Sequence, residues 1–159
     1  MVKHLVSIFA MLLLSVAEIF AGGKYVLVTS VDDLEIGAKV IIVNRDKNVA
    51  MSTEQKTYHR TTEEVTFSDD SKTSIANVSS AVQILELQNG NIENTFAFCV
   101  GDNKYLHCGA DKNYNRLLTK SDVQKSSSVS ISITDAVSTI EFQVSHNRKY
   151  LKFNGTSEF

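Results

Sequence analysis

The chain contains no tryptophan, no proline and only two cysteines, and its charge is nearly balanced: Lys plus Arg is 16 against 18 for Asp plus Glu, a formal net charge of −2. Without a basic excess, it does not read as a nucleic-acid binder or a binder of anionic membranes. There is no Cys-x-x-Cys. Of the histidines after His4, namely His59, His107 and His146, only His107 has a Cys at ligand spacing. That partner is Cys108, its neighbour on a strand, where adjacent side chains point to opposite faces. Also missing are Gly-x-Ser-x-Gly, a phosphate-cradling Gly-x-x-x-x-Gly-Lys and His-Glu-x-x-His. The acidic pairs Asp32-Asp33, Glu63-Glu64 and Asp69-Asp70 are sequence neighbours, and adjacency on a strand does not build a glycosidase pair. These absences argue against an enzyme, a metal site or a cofactor.

The 159 residues, 43% hydrophobic and 21% charged, suit one globular domain. Residues 1–21 have the order of an export signal: Lys3 and His4, an apolar run from Leu5 to Val16, then Ala17-Glu-Ile-Phe-Ala21 with small residues for a peptidase. Cleavage is expected at Ala21/Gly22, with Ala17/Glu18 as the alternative. The run is short for a membrane span and is interrupted by Glu18. Residues 22–159 form the single β-rich domain, expected to be secreted, periplasmic or at the cell surface, with no membrane attachment once the signal is gone.

In that domain the dominant period is two. Tyr25–Thr29, Lys39–Val43, Val82–Leu87, Thr95–Val100, Val129–Thr134 and Ile140–Val144 are short, β-branched runs bounded by Gly, Asn, Asp and Ser, which is the pattern of strands. No window predicts an amphipathic helix. Ser30 and Asp33 predict one capped turn, stopped by Gly37. Residues 52–80 read as a long polar loop with Val65, Phe67, Ile75 and Val78 as apolar anchors and a weak strand at 65–67.

Three segments resemble one another: Val40–Met51, Phe96–Cys108 and Phe142–Phe153. Each is an apolar strand, a polar turn and a second strand, and the last two share Lys-Tyr-Leu at 104–106 and 149–151. Such self-similarity predicts repeated supersecondary units. The expected fold is an all-β, β-trefoil-like barrel of three hairpin repeats, with a two-sheet sandwich as the alternative. The third repeat looks truncated, because residues 154–159 are few for a loop and a fourth strand, so a further strand beyond Phe159 is expected. The hairpin with Lys-Tyr-Leu looks like that of β-trefoil modules. Residues 24–159 resemble small all-β modules of secreted enzymes and surface proteins of gut bacteria. The Gln-x-Trp signature of ricin-type lectins is absent, so no sugar-binding residue is carried over from that family.

Cys99 and Cys108 lie on opposite arms of one predicted hairpin and are the disulfide candidates; two buried thiols acting as small hydrophobes are the alternative. Asp46-Lys-Asn48, Asp102-Asn-Lys104 and Asp111-Lys-Asn113 suggest calcium at first sight but suit turns better. Asn77-Val-Ser79 and Asn154-Gly-Thr156 match glycosylation sequons. The loop Gly109–Arg116 gathers the candidate ligand-binding residues Asp111, Asn113, Tyr114 and Arg116, able to stack on a sugar ring and bond its hydroxyls. The sequence thus predicts a secreted, non-catalytic binding module whose partner is a glycan or a cell-surface protein. A structural accessory domain of a larger secreted enzyme is the alternative, and a small hydrolase with an unrecognised site is a third reading.

Overall fold

The computed structural model describes residues 24–109, 116–155 and 157–159, together with the backbone of one strand at 11–16. The fold is all-β, a β-trefoil-like antiparallel barrel, with no α-helix among the described residues. Its strands are β1 (Met11–Val16), β2 (Tyr25–Leu27), β3 (Lys39–Asn44), β4 (Val49–Gln55), β5 (Arg60–Glu64), β6 (Ser74–Ile75), β7 (Leu85–Asn89), β8 (Phe96–Gly101), β9 (Lys104–Cys108), β10 (Leu117–Lys120), β11 (Ser128–Thr134) and β12 (Val137–Phe142). The path β10-β9-β8-β7-β3-β1-β2-β6 forms the sheet; β4 and β5 extend it from β3, and β11 and β12 from β8.

The three similar segments each fold back as a hairpin. β3 meets β4 at Asn44↔Val49, and β8 meets β9 at Gly101↔Lys104. In the third, the Phe142 N–H donates to the Lys149 carbonyl (2.8 Å) and Glu141 bridges Tyr150. The turns use the residues that tolerate left-handed backbone: Asn48 at φ 55°, then Asp102 at 50° and Asn103 at 55°. The Asp/Asn motifs at 46–48 and 102–104 therefore serve as turns. The motif at 111–113 lies outside the described residues.

β3 explains its own sequence. Val40 and Ile42 enter the main core beside Leu85, Leu87, Phe98 and Ile140, while Ile41 and Val43 enter a second core with Tyr25, Ala50, Val65 and Ile75. A strand buried on both faces reads as a continuous apolar run rather than an alternating one. All four apolar anchors of the polar segment, Val65, Phe67, Ile75 and Val78, belong to the second core. The Asp69 carboxylate ties that segment down by accepting from the backbone N–H groups of Thr73 and Ser74, both at 3.0 Å. These hydrogen bonds to the ionised form, led by the Thr73 N–H, hold the carboxyl below its ordinary range.

Three expectations are corrected. The strand expected at 65–67 lies instead at β5 and pairs with a longer β4, Ala50 opposite Glu63. β5 and the outer half of β4 are rich in Thr, Glu and Gln with much of their surface exposed, so apolar alternation could not reveal them. Val82 forms only a bridge with Ser52, and the strand proper begins at Leu85. The tail after Phe153, expected to be too short for a loop and a fourth strand, nonetheless reaches β5 by an isolated bridge: Arg60 and Phe159 exchange N–H···O bonds of 3.1 and 2.9 Å, with Thr61 bridging Glu158.

The capped turn forms as expected. The Ser30 hydroxyl accepts from the Asp32 N–H (3.2 Å), and the Asp33 carboxylate accepts from the Ser30 N–H (3.2 Å). The proposed peptidase sites Ala17/Glu18 and Ala21/Gly22 lie outside the described residues.

Candidate functional site

A cleft of about 150 Å³ opens where β10, the third hairpin and the tail meet. Phe142 and Phe159 are buried at its floor, whereas Tyr58, in the β4–β5 turn, and Tyr150 are 41% and 42% exposed, the two exposed aromatics of the described surface. The Arg116 guanidinium lies 4.4 Å from the centre of the Tyr58 ring. The ammonium groups of Lys149 and Lys152 lie 5.5 and 5.9 Å from the centre of the Tyr150 ring. Such contacts favour a cation at the ring face.

Backbone pairing fixes this arrangement. The Leu117 N–H donates to the Tyr58 carbonyl (2.7 Å), and the Gln55 amide donates to the carbonyls of Lys56, His59 and Leu117. The β4–β5 turn is thereby held against β10. At the base of the 109–116 loop, the Gly109 N–H donates to the Arg116 carbonyl (2.8 Å). A Cβ on Gly109 would stand 2.7 Å from the Arg116 Cβ, so this approach needs glycine. Across the cleft, Glu158 pairs with His59 at 3.1 Å and accepts from the Asn154 amide at 2.7 Å. Arg148 and Lys152 complete a lining in which cationic groups outnumber the Glu158 carboxylate.

Of the residues expected to bind ligand, Arg116 lies in this cleft, and Cys108 and Arg116, which flank the loop, both line it. Asp111, Asn113 and Tyr114 lie outside the described residues. Tyr58 and Tyr150 were not among the expected binding residues, because they sit far apart in sequence in two unremarkable polar turns. Only the pairing of the β4–β5 hairpin and the third hairpin around β10 brings them together. A weak signal was present in the second occurrence of Lys-Tyr-Leu.

The hairpin register separates the two cysteines offered as a disulfide. Cys99 stands opposite Tyr105, and both thiols are free and buried. Cys99 packs with Ala97 and Tyr105 in a small cluster, whereas Cys108 joins the main core. The turn centres on Asp102-Asn103, and an irregularity between Cys99 and Gly101 shifts the register. Burial pushes the Cys108 thiol up to about 11, so it stays protonated at neutral pH, a poor nucleophile and a poor metal ligand. Among the described residues no group of three or more His, Cys, Asp and Glu could hold a metal ion.

His107 is 6% exposed and its Nδ1 has no hydrogen-bond partner among the described residues. Burial, then the charge of Lys120, holds its pKa below the ordinary 6.5. Below pH 6.5 the unfolded chain takes up a proton that the folded chain refuses, so stability is full above that value and declines as the pH falls toward the folded pKa. The melting temperature should therefore fall on acidification from neutral pH to about pH 5, each tenfold preference of the fold for the neutral ring being worth about 1.4 kcal/mol. His107→Gln should flatten that dependence, and an unchanged slope would remove His107 as its source.

No protein-family model, curated protein or solved structure matches this chain.

Proposed function

We propose that the chain is an exported, non-catalytic binding module that recognises a glycan bearing acidic groups. In this reading residues 1–21 direct export and are removed, and residues 22–159 act outside the cell, in the periplasm or at its surface. The observation that carries the proposal is the joining of two half-exposed tyrosines with Arg116, Arg148 and Lys152 in one cleft. A tyrosine face stacks on the C–H face of a sugar ring, and guanidinium and ammonium groups bond carboxylate or sulfate oxygens. The Cys108 thiol beneath the cleft is buried and protonated, a poor nucleophile.

A glycan array that includes neutral, uronate-containing and sulfated oligosaccharides tests this. Binding should concentrate on the acidic ligands and weaken as salt rises. Tyr150→Ala and Lys152→Glu should each reduce it by about tenfold or more, near 1.4 kcal/mol, with unchanged thermal unfolding. Absence of binding to every glycan, or binding indifferent to both substitutions, would defeat the reading.

A further inference from the structure

Residues 11–16, the second half of the leader's apolar run, form a strand of the barrel, β1, and its place there has a consequence for a chain exported as proposed. β1 runs antiparallel to β2 on one edge and to β3 on the other. Leu14 stands opposite Leu27 on one side and Ile41 on the other, and Ser15 stands between Val26 and Val40. β2 and β3 therefore run parallel to each other, separated by the width of one strand, a span of roughly 10 Å between the two outer backbones.

We propose that this gap is a strand-acceptor site. Once residues 1–21 are gone, it takes an extended apolar strand from another polypeptide, antiparallel to both walls. The proposal rests on the export reading above, because an uncut chain keeps its own strand in place.

Three observations support it. First, the walls are held from behind. β2 is paired through Tyr25 and Val26 to β6. β3 is paired through Lys39 and Val40 to β7 and through Val43 and Asn44 to β4. Closing the gap directly would break one of these ladders. Second, the connection is already committed. Residues 28–38 carry the chain from β2 to the parallel β3 past the intervening β1, and they are anchored in that path. Leu34 and Val28 are buried in the main core, and the Gly37 N–H is bonded to the Leu87 carbonyl (2.7 Å). Third, the wall is expensive to leave bare. Val40, Ile41, Ile42 and Val43 are fully buried with β1 present, and an empty edge would leave backbone donors and acceptors of core residues without partners.

The strand seated there defines the occupant: Met-Leu-Leu-Leu-Ser-Val, six residues without a charge and without proline. The ligand chemistry is thus a short, uncharged, mainly apolar segment in extended form, bound chiefly by main-chain hydrogen bonds on both edges, as in strand addition to an open sheet.

The test starts from the full chain, with a protease site inserted between Ala21 and Gly22, folded and then cut. A dye-labelled peptide of residues 9–18, flanked by lysines for solubility, is offered in excess. The cut chain should exchange its leader fragment for the labelled peptide, whereas the uncut chain takes up none. A peptide carrying Leu13→Pro, at the position paired with Ile42, should bind at least about tenfold more weakly, because proline removes a ladder donor. Amide exchange at residues 40–44 should quicken when the fragment leaves and slow again when the peptide enters. If loss of the fragment unfolds the barrel, recovery of the native exchange pattern on adding peptide supports the site, and failure to recover overturns it. The site is also overturned if residues 40–44 stay protected after the fragment leaves, whether because the walls close or because two copies of the cut chain pair there. N-terminal sequencing of the exported product tests the export reading separately. An uncut product would sink that reading without altering what the cut chain does with the peptide.

Discussion

Replacing Arg60 with methionine is expected to lower the unfolding free energy by about 2–4 kcal/mol, although the residue does not line the cleft and heads a strand that is mostly polar. Arg60 is 4% exposed, and its guanidinium donates to the Ser52 and Thr53 carbonyls at 3.3 and 3.2 Å, to the Gln83 Oε1 at 2.6 Å and to the Thr119 hydroxyl at 3.2 Å. These partners are neutral oxygens. Burial pushes the guanidinium below its ordinary range, but arginine remains charged at neutral pH.

Two effects oppose each other in the variant. Removing the cation relieves its desolvation, but it leaves acceptors in β4, in the segment before β7 and in β10 without their donor. Charge-assisted bonds are worth about 1.5–3 kcal/mol each, so losing several outweighs the relief. Methionine nearly fills the same space, so a loss that persists in Arg60→Met identifies the hydrogen bonds, whereas rescue by Met relative to Ala would identify packing. Urea unfolding of the three proteins decides it, and an unchanged midpoint in Arg60→Met would refute the account. Gln83 extends the same chain, donating to the Val100 carbonyl at 3.3 Å. Arg60 thus couples the first hairpin to the second.

The second large effect is expected at Phe98, the bulkiest of the fully buried side chains, in β8 opposite Leu87. Phe98→Ala should lower stability by about 3–5 kcal/mol, the sum of lost apolar transfer and a cavity the barrel cannot close. Neighbours held in two strand ladders cannot collapse into the void, which places the site toward the upper part of that range. Phe98→Leu should cost less than half as much. The urea midpoint should shift while the slope is preserved; a small loss for Ala, with restored packing, would mean that the core relaxes.

Most of the fold was legible because the strands that line the main core announce themselves. Val129–Thr134 alternates, and both Ile131 and Val129 are buried. Ser30 and Asp33 form the capped turn that their spacing implies. What escaped was polar or assembled late. β5 begins with an arginine and continues in Thr and Glu, so its inward residue did not look like a core residue. The tail's bond to Arg60 joins residues about a hundred apart in the chain and leaves no local signal. Arg116 was visible as part of a polar loop, but its aromatic partner Tyr58 lies in another hairpin. The cysteine register depended on where a single irregularity falls between Cys99 and Gly101, and an alternating pattern cannot place that.

The missing proline and the unlinked cysteines also bear on how fast the chain finds this shape. Neither prolyl isomerisation nor disulfide exchange is available to impose a slow phase on refolding. The pace is left to topology: the hairpins β8–β9 and β11–β12 join close neighbours and can form early, whereas the Arg60–Phe159 exchange closes a loop of roughly a hundred residues. That late step draws the tail onto β5 and sets Glu158 opposite His59. The cleft is therefore among the last features to mature, and a chain exported as proposed would complete it only after Phe159 has left the export channel.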